Sequence, residues 1–162
     1  MPIRWIVFRL FNYVVMLSVT IQVIIILSRI DLSISNDWIF NAIFLFCVGI
    51  IITNSIFNIL WLERYYPAQI PSRIFKRTSM TFFILAIFVL ALYVLVLSVA
   101  IFDALFEEYP SRKFDWHYAL NFLLLGSISI GGIYILINRN LLTRRIKYNH
   151  QLQFNNFLET SS

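Results

Sequence analysis

The chain has 162 residues, 60% of them hydrophobic and 17% aromatic, with a formal net charge of +5. Only 13% are charged, about half of the ~25% with which a water-soluble domain covers its surface. That excludes an ordinary soluble domain and makes lipid the solvent over most of the length. The positive charge follows the order of the apolar segments rather than forming one basic face, so no nucleic-acid partner is expected.

Charged residues divide the apolar sequence into four spans: Arg9 to Arg29, Asp37 to Glu63, Arg77 to Asp103 and Asp115 to Arg139. A helix crosses a ~30 Å hydrocarbon layer in about 20 residues. In lipid only a helix pairs its own backbone within one segment. The spacing therefore predicts an all-α membrane protein with helices over roughly 5–28, 38–62, 78–103 and 117–138, and a basic, then polar, tail over 139–162. The run Leu10–Leu27 is longer than a signal-peptide core and no small-x-small cleavage site follows it, so the first helix is expected to be retained.

Orientation follows from the basic residues. With a cytoplasmic N-terminus, Arg4, Arg9, Arg64, Arg73, Lys76, Arg77, Arg139, Arg144, Arg145 and Lys147 lie inside, against Arg29, Arg112 and Lys113 outside. This positive-inside bias places both termini in the cytoplasm, and a bacterial inner membrane is the default location. The spans then form two hairpins. The second opens Asp37-Trp38-Ile39-Phe40 and the fourth Asp115-Trp116-His117-Tyr118, a likeness that also allows a parallel duplication about an axis normal to the membrane. Between the hairpins, Asn54 to Arg77 is the longest interruption of the apolar sequence.

Tryptophans at span ends suit the headgroup layer, so Trp5, Trp38, Trp61 and Trp116 are expected to anchor the interfaces. Arg73, Lys76, Arg77, Arg144, Arg145 and Lys147 are expected to contact anionic lipid; the last three, interleaved with Leu141, Leu142 and Ile146, fit a surface-lying helix.

Polar residues inside spans need partners. Ser18 and Gln22 share one helix face, as do Asn54 and Asn58, so they either join helices by hydrogen bonds or line a polar path. Gly126, Ser127, Gly131 and Gly132 mark a face for close helix packing, within the bundle or between copies. No span is expected to carry a charge at its centre. Cys47 is the chain's one cysteine, too few for an intrachain disulfide or a multi-cysteine metal motif.

Asp103, Glu107, Glu108, Asp115 and His117 could in principle hold a cation, but Arg112 and Lys113 sit among them; a self-neutralising loop is expected, with no metal and no cofactor. His117 and His150 fall on opposite sides, which disfavours a shared acid–base site. The sequence points to a non-catalytic accessory or scaffold subunit, in contact with the bilayer and with other integral membrane subunits or copies of itself. An oligomeric transporter or channel through Asn54 and Asn58 is the alternative, and a sensor signalling through its tail the third reading.

Overall fold

A computed structural model describes residues 2–29, 38–106 and 116–160. The chain is all-helical in these regions: α1 (Ile3–Arg29), α2 (Trp38–Leu60), α3 (Arg73–Phe106) and α4 (Trp116–Thr160). All four are long and apolar enough to cross a membrane.

Local chemistry sets the boundaries. One wide π turn, Trp61–Tyr65, continues α2. The next residue, Tyr66, is extended (φ −77°, ψ 137°), as the residue before a proline must usually be, and Pro67 stops the helix. Ser72 then caps α3: its Oγ accepts the Phe75 backbone N–H at 3.3 Å, meeting one of the donors that a helix start leaves unpaired. For this reason α3 starts at Arg73, a turn before the basic residue from which the apolar span was counted.

The largest departure from the sequence expectation is α4. It runs for 45 residues without a break, about 67 Å, where a spanning helix ending at residue 138, a separate surface-lying basic helix and then a polar tail were expected. Between Gly132 and Thr160 the chain has neither glycine nor proline, so nothing in the backbone chemistry ends the helix at the basic residues.

Each helix packs against two others: α1 against α2 and α4, α3 against α2 and α4. The start of α1, the end of α2, the start of α3 and the middle of α4 meet at one end of the bundle. There Arg4 Nε donates to Asn138 Oδ1 at 2.8 Å, and Trp5 packs on Tyr66 with ring centroids 5.8 Å apart. Asn149 reaches further down the same face to donate to the Pro67 carbonyl. Phe8, Val15 and Val19 of α1 and Ile128, Ile135 and Leu142 of α4 belong to one buried core cluster. Outward faces carry large exposed apolar side chains such as Leu17, Phe46, Phe88 and Leu123, the surface that a bundle solvated by lipid needs.

Candidate functional site

Asn54 and Asn58 stand one turn apart on α2, and both face the bundle interior, where they are buried. They meet a group that the charge pattern had assigned to the flank of the fourth span. Arg139, 3% exposed, lies inside the bundle. Its Nη1 donates to Asn58 Oδ1 at 2.6 Å and to Asn54 Oδ1 at 3.2 Å. Its Nη2 donates to the Ser79 carbonyl at 3.0 Å and to Ser79 Oγ. The guanidinium carbon lies 4.7 Å from the centre of the Phe83 ring, within range of a cation–π contact.

The network reaches all four helices. Asn58 Nδ2 donates to Asn12 Oδ1 at 3.1 Å, and Asn12 Nδ2 donates to the Phe8 carbonyl on its own helix. Trp61 Nε1 donates to Ser79 Oγ at 2.7 Å, so that hydroxyl accepts both an indole and a guanidinium. Every acceptor described around Arg139 is neutral. The one described ion pair of the molecule is elsewhere, between Arg9 and Glu63 at 3.2 Å, both about half exposed. A charge removed from water needs hydrogen bonds at each donor or it is strongly destabilising, and the planar fork of arginine suits several acceptors at once.

Such a centre is a fixed positive charge and a four-helix tie. Beside it, Asn54, Ser55, Ala86 and Gly132 enclose a space of about 20 Å³, enough for roughly one water. Among the described residues no group of histidines, cysteines or carboxylates is placed to hold a metal.

The other sequence candidates distribute as follows. Ser18 and Gln22 are buried, but Gln22 belongs to a different polar contact, accepting from Tyr93 Oη at 3.2 Å. Ten residues separate it from Asn12, about 15 Å along α1. The four proposed path residues are therefore not one cluster. Gly131 and Gly132 serve packing within the bundle: a Cβ on Gly131 would sit 2.7 Å from Val15 Cγ2, and one on Gly132 would meet Leu90. A Cβ on Gly126 would meet nothing within 4 Å, and Ser127 Oγ donates back to the Leu123 carbonyl; neither joins that close contact.

Trp5 and Trp61 do not point outward from the bundle. Both are buried at the end of the bundle, Trp5 against Phe8 and Tyr66 and Trp61 bonded to Ser79. The side chains of Trp38 and Trp116 lie outside the described residues, as do those of the loop candidates Asp103, Glu107, Glu108, Asp115 and His117. Arg73, Lys76, Arg77, Arg144, Arg145 and Lys147 are all exposed, as lipid contact requires.

Sequence reasoning missed Arg139 and Asn12. Asn12 is visible as an amide within an apolar run, and an i, i+4 amide pair inside a span has acceptors to spare for a donor, but Arg64 after the second span and Arg139 after the fourth offer the same donor pattern in sequence.

Fold and site together define a class: a bundle of four helices, each able to span a membrane, tied by an interior arginine. Comparison with protein families, curated proteins and solved structures gives no significant match, so the functional reading rests on the residues themselves.

Proposed function

We propose that the protein is a non-catalytic integral membrane subunit that serves as an accessory or scaffold component of a larger membrane complex. In this reading the spans form two hairpins with both termini in the cytoplasm, and the membrane is a bacterial inner membrane. The observation that supports it most is the arm of α4. Asn149 and His150 tie the helix to the 66–72 segment, Nδ2 of Asn149 donating to the Pro67 carbonyl and the His150 ring lying 3.2 Å from the Ala68 carbonyl. From there the helix continues about 15 Å and exposes Leu152 and Phe154. A rigid helix leaving the membrane with apolar residues on its surface suits attachment to another protein.

The test is extraction from native membranes in a mild detergent through a small N-terminal tag, followed by native mass spectrometry. A stoichiometric larger integral membrane protein is expected, and Phe154→Glu should release it while the bundle stays folded. Recovery of the chain only as a monomer or homo-oligomer overturns the reading. The channel alternative gains less support, since both path amides are engaged by a fixed positive charge that would repel a cation.

A further inference from the structure

At the end of the bundle away from Arg139, the helices part around a crevice of about 480 Å³, within the ~300–1,000 Å³ range of small-molecule sites. Every helix contributes a polar group to its otherwise apolar wall: Gln22 from α1, Cys47 from α2, Tyr93 from α3 and Asn121 from α4. Tyr93 Oη donates to Gln22 Oε1. That bond occupies the acceptor of Gln22 and leaves its amide N–H groups as the donors it can offer. No hydrogen bond joins the Asn121 side chain to another described residue. An amide at membrane depth without a partner is costly, so a bound molecule with an acceptor would be favoured here. No Asp, Glu, Lys or Arg is among the described lining. Asn121 is the sixth residue of α4 and Gln22 lies seven before the end of α1, so the donors sit about two turns from the helix ends, with apolar wall running deeper to Val89.

We propose that this crevice binds one uncharged acyl lipid, its chain along the apolar wall and its ester carbonyl accepting from Asn121 and Gln22. The volume alone would admit any hydrocarbon; the two amide donors select the carbonyl, and a described lining without charge favours a neutral molecule.

Cys47 lines the crevice and is the chain's one cysteine, so it reports occupancy. The full chain is purified in dodecyl maltoside, which has no ester, and the rate of Cys47 alkylation by N-ethylmaleimide is measured with mono-oleoyl glycerol, oleate or hexadecane. At ten times its dissociation constant, mono-oleoyl glycerol is expected to slow alkylation about tenfold, with hexadecane and oleate much less effective. Asn121→Leu should reduce its protection to the level of hexadecane. Val96→Trp, at a position 49% exposed on the crevice rim, should slow alkylation without lipid and remove any further effect of adding it. Should Asn121→Leu fail to fold, the Val96 variant and the comparison of three probes still decide. No protection by mono-oleoyl glycerol, equal protection by hexadecane, or stronger protection by oleate each overturns the proposal.

Discussion

Arg139 is held by neutral oxygens from two helices, and that fact decides how its variants should behave. An interhelical hydrogen bond in a membrane protein contributes about 0.6 kcal/mol on average, whereas leaving a buried charge without partners costs about 3–5 kcal/mol. The double variant Asn54→Leu/Asn58→Leu strips Nη1 of both acceptors while Ser79 still accepts from Nη2, and is therefore expected to lose up to about 3–5 kcal/mol. Adding Arg139→Met should recover a good part of that loss, since the unpaired charge goes with it. Denaturant unfolding followed by tryptophan fluorescence checks this, because Trp61 is bonded to Ser79 beside the guanidinium. A triple variant less stable than the double would show that the amides do not carry the charge. At this scale the sequence revealed half of the site. Asn54 and Asn58 declared themselves by polarity and spacing. Arg139 did not, because a basic residue after an apolar run ordinarily lies in the headgroup layer, and only the packed partners from α2 and α3 make burial affordable. Its apparent counterpart at the end of the second span, Arg64, is exposed, with its guanidinium over Tyr65.

For the elements, close packing separates glycines that look alike in sequence. Gly131→Ala would push a methyl group against Val15 and should lower stability by about 1–3 kcal/mol, the usual cost of overpacking. Gly126→Ala meets open space and should be neutral or stabilising by up to about 1 kcal/mol, from helix propensity. Thermal unfolding of the two variants side by side checks both, and equal effects would mean that the α1–α4 approach is not as tight as described. The existence of four long helices was plain from length and apolarity. Their ends were less so: Ser72 starts α3 before the basic cluster is over, and α4 passes through its basic residues because no breaker follows. Charge marks where lipid ends; it does not mark where a helix ends.

For the whole molecule, the α4 arm should be separable from the bundle. Residues 151–158 are exposed throughout, so a chain stopped after Gln151 is expected to unfold within about 2 °C of the full chain, given that ~1 kcal/mol shifts a domain of this size by only a few degrees. Association with the proposed partner should nevertheless be lost. Orientation is checked in a Cys47→Ala background, with cysteines placed singly at Gln69 and Asn155. Both are exposed and lie toward the end of the bundle where Asn149 and His150 meet the 66–72 segment. Both should react with an impermeant maleimide only after the cytoplasmic side is opened; labelling of either from outside would reverse the proposed orientation. The proposed orientation rests on the distribution of arginine and lysine alone, whereas the interior network and the crevice depend on which helix faces meet, and periodicity in such uniformly apolar segments is too weak to show that.

The interior arginine also has a history in each molecule made. Before α4 docks, its guanidinium has no amides around it, and a long side chain two turns from Arg145 can reach back to the lipid phosphates by snorkelling. Since α2 and α3 precede α4 in the chain, Asn54, Asn58 and Ser79 can already be in the bilayer when Arg139 arrives. Docking then exchanges a phosphate contact for carbonyl and hydroxyl contacts as independently stable helices come together. A bundle with α4 in another register would part the guanidinium from Asn54, Asn58 and Ser79, so the arginine ties the register of α4 to its neighbours.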